Sequence, residues 1–145
     1  MTSAEKQFFA EARKLRVSAR DGYILVIEDD PDISEFITRA LEQNGLKVRV
    51  AAAYSEALEL LKKDAEKIRA AIIDIGLPGS LSDGAYLDDS IVSLAESLQI
   101  PFIVWTGYKA EQIARKHPRA CVVRKGESGA LNRIMSELGL TPSFA

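Results

Sequence analysis

The chain has 145 residues, 47% of them hydrophobic, and a formal net charge of −2. This length fits one domain with a continuous core, and the balanced charge excludes a general attraction to nucleic acid or to an anionic membrane. The single cysteine excludes an internal disulfide, and no apolar run reaches the roughly 20 residues that cross a bilayer, so we expect a cytoplasmic protein.

The first predicted element is an amphipathic helix over residues 3–16, in which Phe8, Phe9, Ala12 and Leu15 recur at helical spacing. It precedes the first strand and belongs to no β–α unit. Packing of this apolar stripe on its own domain is one interpretation. Docking to a partner or to a second copy, as in a homodimer, is the alternative.

Short runs rich in Ile and Val then alternate with helical stretches. We predict strands at residues 23–28, 46–52, 70–74, 101–105 and 120–124. We predict helices at residues 31–43, 55–66, 86–98, 109–116 and 128–138. The first of these helices has Asp30 as its N-cap and Pro31 at its first position. Five β–α units with right-handed crossovers give an α/β fold, a doubly wound five-stranded parallel sheet.

Two features near the end of the chain have ordinary structural interpretations. Arg115, Lys116, His117 and Arg119 form a basic cluster, which we predict to be a solvated helix end whose cations suit the helix dipole. Cys121 stands beside two valines in the last strand, and we predict a buried structural thiol there.

Reactive side chains stand where the predicted strands end. Glu28 and Asp29 follow the first strand, and Asp74 ends the third. Because the carboxyl ends of parallel strands share one edge of a sheet, these three carboxylates should converge. Two unit charges about 4 Å apart repel by about 4 kcal/mol at an effective dielectric near 20, so the cluster needs a cation. Helix capping explains Asp30 but not Asp74, and the sequence therefore predicts a site for a hard divalent cation such as Mg²⁺.

The other strand ends fit phosphoryl chemistry beside that cation. Asp74 held against Mg²⁺ is a candidate nucleophile toward a phosphoryl group, giving an aspartyl phosphate. Lys125, after the last strand, would supply a second positive charge, and Thr106 would donate its hydroxyl to the product phosphate. The small Gly107 beside it leaves room for an incoming donor or for water.

These residues resemble the receiver domains of bacterial response regulators, the signalling proteins of two-component systems. The resemblance covers about residues 22–139. It rests on the acidic run at 27–32, the segment at 73–79, the pair Thr106-Gly107, and Lys125, in this order and on these strand ends. It implies a flavodoxin-like (βα)5 fold with strand order 2-1-3-4-5. We expect a helical extension at 1–21, the receiver domain at 22–140 and a short tail at 141–145.

The resemblance also implies a role for each metal-site residue. Asp74 would be the phosphoacceptor, and Asp29 would bind Mg²⁺ directly. Glu28 would act through a water molecule, and the backbone carbonyl of Gly76 would complete the site. These roles make the protein a phosphoacceptor rather than an enzyme.

The resemblance further implies that the Thr106 side chain would move toward the phosphoryl group after its transfer, and that Lys125 would bridge to the phosphoryl oxygens. Since few residues follow the last predicted helix, we expect a single-domain response regulator without a DNA-binding or enzymatic output domain. Its donor would be a histidine kinase or a histidine phosphotransfer protein. It would signal by docking to a downstream protein that the sequence does not identify, or by relaying the phosphoryl group.

A second hypothesis is a receiver-like interaction module that does not depend on phosphorylation. Val122 stands where the family commonly has an aromatic side chain, three residues before the lysine. The stretch from Thr106 to Lys125 is a few residues short, and the amphipathic helix at 3–16 is additional, which also motivates this hypothesis. In a further departure from the family, Asp83-Gly84 follows the loop proline about two residues late.

A third hypothesis is a metal-dependent phosphohydrolase or a flavin-binding domain. A haloacid-type hydrolase should have a second Asp two residues after its nucleophile, where this chain has Gly76. A flavin site needs a phosphate-binding loop after the first strand, where the acidic run at 28–30 would repel phosphate. Both observations oppose this hypothesis.

Overall fold

A computed structural model describes residues 2–18, 21–80, 87–107 and 109–140. The strands in these ranges are β1 (Tyr23–Ile27), β2 (Val48–Ala51), β3 (Ile68–Ile73), β4 (Phe102–Thr106) and β5 (Cys121–Arg124). The helices are α1 (Ser3–Ser18), α2 (Pro31–Gln43), α3 (Tyr54–Lys63), α4 (Ser90–Ser97), α5 (Ala110–Lys116) and α6 (Ala130–Glu137). In the part of the chain so described, each helix is too short or too polar to span a bilayer. The predicted Asp83-Gly84 turn and the 141–145 tail lie outside the described residues.

The strands form one parallel sheet in the order β2-β1-β3-β4-β5. This confirms the predicted fold class and strand order. Helices cover both faces, so the residues of β1 and β3 are buried along their whole length. Side chains alternate between two cores. The core on the α3–α4–α5 side takes Leu25, Ile27, Ala71 and Ile73, and the core on the α2–α6 side takes Ile24, Val26, Ala70 and Ile72.

The predicted N-cap of α2 is confirmed. Asp30 Oδ1 accepts hydrogen bonds from the backbone N–H groups of Asp32 at 2.9 Å and Ile33 at 3.4 Å. Pro31 occupies the first turn, where its missing N–H costs no hydrogen bond. The cap fixes where the acidic run leaves β1 and where helical structure begins.

The sequence placed the start of β3 too late, because a charged residue interrupts the apolar run. β3 begins at Ile68, two residues before the prediction. Arg69 lies inside the strand and is only 6% exposed. Its guanidinium donates to the carbonyl oxygens of Val17, at 3.4 Å, and Asp21, so the charge is held by backbone dipoles from the last turn of α1 and from the chain that follows it.

Of the two interpretations of the α1 stripe, packing on its own domain does not hold for Phe8 and Leu15. The side chains of Phe8 and Leu15 are 67% and 73% exposed. The helix packs instead through the opposite face, where Arg13 and Val17 are buried. Arg13 donates through Nε to the carbonyl oxygen of Glu137 at 2.9 Å and forms an ion pair with the carboxylate of the same residue.

Arg16 supplies the second anchor of α1. Its guanidinium donates to the carbonyl oxygens of Gln99 at 3.0 Å, Ala65 at 3.0 Å and Ile68 at 2.7 Å. These oxygens lie at and beside the amino ends of β3 and β4. The three hydrogen bonds help to hold the arginine-bearing face of α1, and not the face with Phe8 and Leu15, against the sheet.

The basic cluster is only partly the solvated helix end that the sequence predicts. Lys116 and Arg119 are exposed, but His117 is 6% exposed. Its Nε2 lies 2.6 Å from Asp89 Oδ2, and its Nδ1 forms a hydrogen bond with the carboxylate of Glu96. The histidine therefore joins the end of α5 to α4. The thiol of Cys121 is half-buried, and burial raises its pKa.

We predict that Gly22→Ala destabilises the protein by about 3 kcal/mol or more. Gly22 has φ +98°, and an added Cβ would stand 2.1 Å from the carbonyl oxygen of Lys67. Gly45 is the matched control, because it has φ +80° with nothing within 4 Å of an added Cβ. Urea unfolding of Gly45→Ala should show a loss of only about 1 kcal/mol. Equal losses for the two variants would contradict the close approach at Gly22.

Candidate functional site

Three carboxylates meet at the carboxyl edge of the sheet. β1 and β3 are paired in register, with Ile27 opposite Ile73. The backbone N–H of Asp74 donates to the carbonyl oxygen of Ile27 at 2.9 Å, so the residues after the two strands lie side by side. One ligand oxygen from each of Glu28, Asp29 and Asp74 lies within 4.8 Å of the others. Glu28 and Asp74 are 3% and 7% exposed, and Asp29 is exposed.

Lys125 joins two of these carboxylates. Its ammonium nitrogen lies 2.8 and 2.7 Å from the two carboxylate oxygens of Glu28 and 2.9 Å from Asp74 Oδ2. The backbone N–H of Lys125 donates to the carbonyl oxygen of Thr106 at 3.2 Å, which holds the residue at the end of β4. One positive charge is thus shared by two of the three carboxylates, Glu28 and Asp74. The negative charge of the cluster therefore exceeds the positive charge, and a further cation would be attracted to it.

Neutral donors hold the other oxygen of Asp74. The hydroxyl of Thr106, which is fully buried, donates to Asp74 Oδ1 at 2.8 Å. The backbone N–H of Gly76 donates to the same oxygen at 3.2 Å. Asp74 is therefore fixed from both sides, by a cation at Oδ2 and by two dipoles at Oδ1. The predicted use of the Gly76 carbonyl as a metal ligand stays a prediction.

The surroundings shift the pKa values of the two buried carboxyl groups in opposite directions. Burial raises the pKa of Glu28 to about 7, and the negative charge of Asp74 adds to that effect, although Lys125 opposes it. Burial also opposes ionisation of Asp74, but its hydrogen bonds from Lys125 and Thr106 outweigh burial and lower its pKa. Asp74 is thus kept as a carboxylate, the form that a nucleophile requires.

The donor atoms fit a hard divalent cation. All three side chains offer carboxylate oxygens, the ligands that Mg²⁺ and Ca²⁺ prefer. Exposed Asp29 opens the cluster to solvent, so an ion has an entry path. The raised pKa of Glu28 is the expected property of a carboxylate whose charge is not fully balanced.

Sequence reasoning gave Trp105 no role at the site. The Lys125 ammonium stands 5.9 Å from the centroid of the Trp105 ring, within the range of a cation–π contact. Trp105 is 9% exposed and packs in the α2–α6 core. Its position directly before Thr106 was the signal in the sequence. As the only tryptophan of the chain, it is also a fluorescence reporter next to the site.

A cationic groove of about 370 Å³ adjoins the cluster on the α5 side. Gly107 opens it, and a Cβ added there would meet only the Cβ of Lys125, at 3.9 Å. The charged side chains along the groove are Lys109, Glu111, Arg115, Arg124 and Lys125. Four of these five are cations, so the approach to Asp74 from this side favours an anionic molecule.

The structure thus brings together Glu28, Asp29, Asp74, Thr106 and Lys125, with Gly76 and Gly107 at the margin. Val122 does not belong to this group. It lies in β5 opposite Val104 and packs against the α3–α5 side of the core.

Comparisons with known proteins identify a family for this chain. Residues 24–122 match the family model described as the response regulator receiver domain. The chain is 32% identical over 117 residues to an uncharacterized 14.6 kDa protein from Leptolyngbya boryana, an alignment that covers 81% of this chain and 82% of that protein.

Solved structures give the same result for the fold. The receiver domain of a Francisella response regulator is similar with a TM-score of 0.63 and 21% identity, covering 82% of this chain and 94% of that one. A response regulator from Burkholderia pseudomallei is similar with a TM-score of 0.59 and 28% identity, covering 81% of this chain and 66% of that one. The Burkholderia structure contains a phosphorylated aspartic acid, a calcium ion and citrate.

We predict that, without metal, the protein loses stability as pH rises from 5 to 8. The pKa of Glu28 is about 7 in the folded chain against 4.5 ordinarily, so the folded state holds the proton more tightly. The stabilisation is complete below pH 4.5 and is lost by pH 8, up to about 3 kcal/mol.

Urea unfolding in EDTA at several pH values measures this loss, with Glu28→Gln as the control. His117 is the only histidine and is present in both proteins, so the difference between them isolates Glu28. Parallel pH profiles for the two proteins would show that Glu28 does not titrate in this range.

Proposed function

The chain belongs to the response regulator receiver domain family, and from this premise we propose that it accepts a phosphoryl group on Asp74 in a Mg²⁺-dependent reaction. One observation carries the proposal. The Asp74 carboxylate is kept ionised between the ammonium of Lys125 and the hydroxyl of Thr106, with two more carboxylates beside it. The phosphorylated aspartic acid of the Burkholderia relative supports the same chemistry.

In the proposed step, a carboxylate oxygen of Asp74 attacks the phosphorus atom of the donor. A new phosphorus–oxygen bond forms while the bond from phosphorus to the leaving atom breaks. The electron pair of that bond departs with the donor, on an imidazole nitrogen of a phosphohistidine or on a carboxylate oxygen of acetyl phosphate. No other reactant is required, and Asp74 becomes a mixed anhydride.

The chain's own residues stabilise the charge that develops on the phosphoryl oxygens. Lys125 already donates to Asp74 Oδ2 and would turn from Glu28 toward the new group. The Thr106 hydroxyl would exchange Asp74 Oδ1 for a phosphoryl oxygen. Mg²⁺ bound by Glu28, Asp29 and Asp74 would neutralise part of the phosphoryl charge.

The proposed partners follow from the same site. The donor is a histidine kinase or a histidine phosphotransfer protein in the cytoplasm. The cationic groove from Gly107 to Arg115 supports the approach of an anionic donor. The output is docking to a downstream protein or relay of the phosphoryl group, and the chain is an acceptor rather than an enzyme that turns over phosphate esters.

Acetyl phosphate with Mg²⁺ tests the proposal. We expect intact mass spectrometry to show one added phosphoryl group on the wild type and none on Asp74→Asn. Asp29→Asn should lose the stimulation by Mg²⁺ together with most of the product, because an exposed metal ligand is removed. If neither acetyl phosphate nor a panel of histidine kinases modifies the wild type, the interaction module that does not depend on phosphorylation replaces this proposal.

We further predict that Lys125→Met slows phosphorylation by acetyl phosphate on the order of 100-fold, because one preorganised charge is removed. Trp105 fluorescence should change when the wild type is phosphorylated, since the ammonium moves relative to the indole ring. Lys62→Met on α3 is the control and should behave as wild type, since this lysine is exposed and lies outside the site. A normal rate in Lys125→Met would exclude the role given to the lysine.

A further inference from the structure

The outward face of α1 is an apolar stripe held in a fixed orientation. Ala4, Phe8, Ala12 and Leu15 recur at helical spacing, and all four are exposed. Among the described residues, four large hydrophobic side chains are exposed, and two of them belong to this stripe. Because the opposite face of the helix is anchored to the sheet and to α6 through buried Arg13 and Val17, the stripe is a permanent surface.

The stripe continues into an adjoining groove. Phe8 forms part of the wall of a groove of about 500 Å³ that runs between α1 and the segment 99–102 before β4. Phe9, Ile100 and Phe102 line the same groove. A helix laid on the stripe would therefore meet apolar surface both on α1 and beside it, more than single exposed side chains offer.

The spacing of the stripe is self-complementary. Phe8 and Leu15 are seven residues apart, which is two helical turns. If a second copy of α1 lies antiparallel, with the twofold axis passing between Glu11 and Ala12, Phe8 of each copy covers Leu15 of the other. We propose that this stripe is the interface of a homodimer, built by antiparallel pairing of α1 with α1 of a second copy.

The charges beside the stripe favour the same arrangement. Glu11 and Lys14 lie on one flank of α1, where they are 3.8 Å apart. In an antiparallel pair the same flanks face each other in reversed order, so Glu11 of one copy meets Lys14 of the second copy. In a parallel pair the twofold axis would run along the helices, so this flank of one copy would lie beside the opposite flank of the second copy, and Glu11 would not meet Lys14. The charge pattern therefore fits a reversed copy of this chain.

The interface leaves the phosphoacceptor free. Arg16 of α1 binds the carbonyl oxygen of Ile68, the first residue of β3, whereas Asp74 follows the last residue of that strand. The two surfaces lie at opposite ends of the sheet. The dimer therefore exposes two acceptor sites at once, and its existence does not depend on the proposed function.

Sedimentation velocity of the full chain over a wide concentration range tests the dimer. We expect a dimer that dissociates on dilution, since one helix pair makes a small interface. Phe8→Ser and Leu15→Ser should each weaken it at least tenfold. Phe36→Ser is the matched control, because Phe36 is 47% exposed on α2, and it should leave the dimer unchanged. Thermal melts of all three variants serve as the folding control and should match the wild type, since none of the three side chains is buried.

A charge exchange and a thiol pair test the orientation. Glu11→Lys should weaken the dimer, and adding Lys14→Glu should restore it. In a Cys121→Ala background, Ala12→Cys should form a disulfide between copies on oxidation and Phe8→Cys should not, because the twofold axis lies next to residue 12. A reversed crosslinking result would overturn the antiparallel geometry.

Two results would overturn the dimer itself. One is a monomer at every concentration, whether or not another protein binds the stripe. The other is a dimer that Phe8→Ser and Leu15→Ser leave intact, because the second copy would then bind elsewhere.

Discussion

One ammonium group shared by two buried carboxylates determines the character of this site. Lys125 neutralises Glu28 and Asp74 only in part, and Asp29 adds a third acid at the surface. A proton on Glu28, or a divalent cation between the acids as proposed above, would complete the balance. The two buried carboxyl groups differ in pKa, because the Thr106 hydroxyl donates a hydrogen bond to Asp74 and not to Glu28. The result is one carboxylate that stays ionised and one that exchanges a proton near neutral pH.

The sheet makes this cluster unavoidable. In-register pairing of β1 with β3 sets the residues after Ile27 and Ile73 beside each other, whatever their charges. The repulsion therefore cannot be relieved by sliding one strand, since a shift of one residue would turn every core side chain of the strand to the other face. Packing energy spread over two cores holds the acids together, and a lysine from the far edge of the sheet reduces the cost.

The spacing of apolar residues, and the turn and capping residues between apolar runs, explain what could be predicted from the sequence. The five strands, their order and the edge that collects Asp74, Thr106 and Lys125 follow from apolar runs and from the topology that the resemblance implied. The inward face of α1 and the start of β3 could not be predicted, because Arg16 and Arg69 are recruited by backbone carbonyls far away in sequence. Arginine usually lies at the surface, but Arg69 is buried and Arg16 is half-buried here, because their guanidinium groups donate hydrogen bonds to these carbonyls.

The same limit applies to His117 and Trp105. Local sequence marks the histidine as one of a basic run, yet its surroundings are two acids, Asp89 at the N-cap of α4 and Glu96 within it, more than twenty residues earlier. The sequence marks Trp105 only as a core residue of β4, and its contact with the ammonium of Lys125, which follows β5, is seen only in the structure. In both cases a long-range polar contact, invisible to periodicity, assigns the environment. The hydrophobic pattern predicts which elements pack together but not these contacts. His117 links α4 to α5. Trp105 links the charged cluster to the α2–α6 core, since its ring packs in that core and the ring centroid lies 5.9 Å from the Lys125 ammonium.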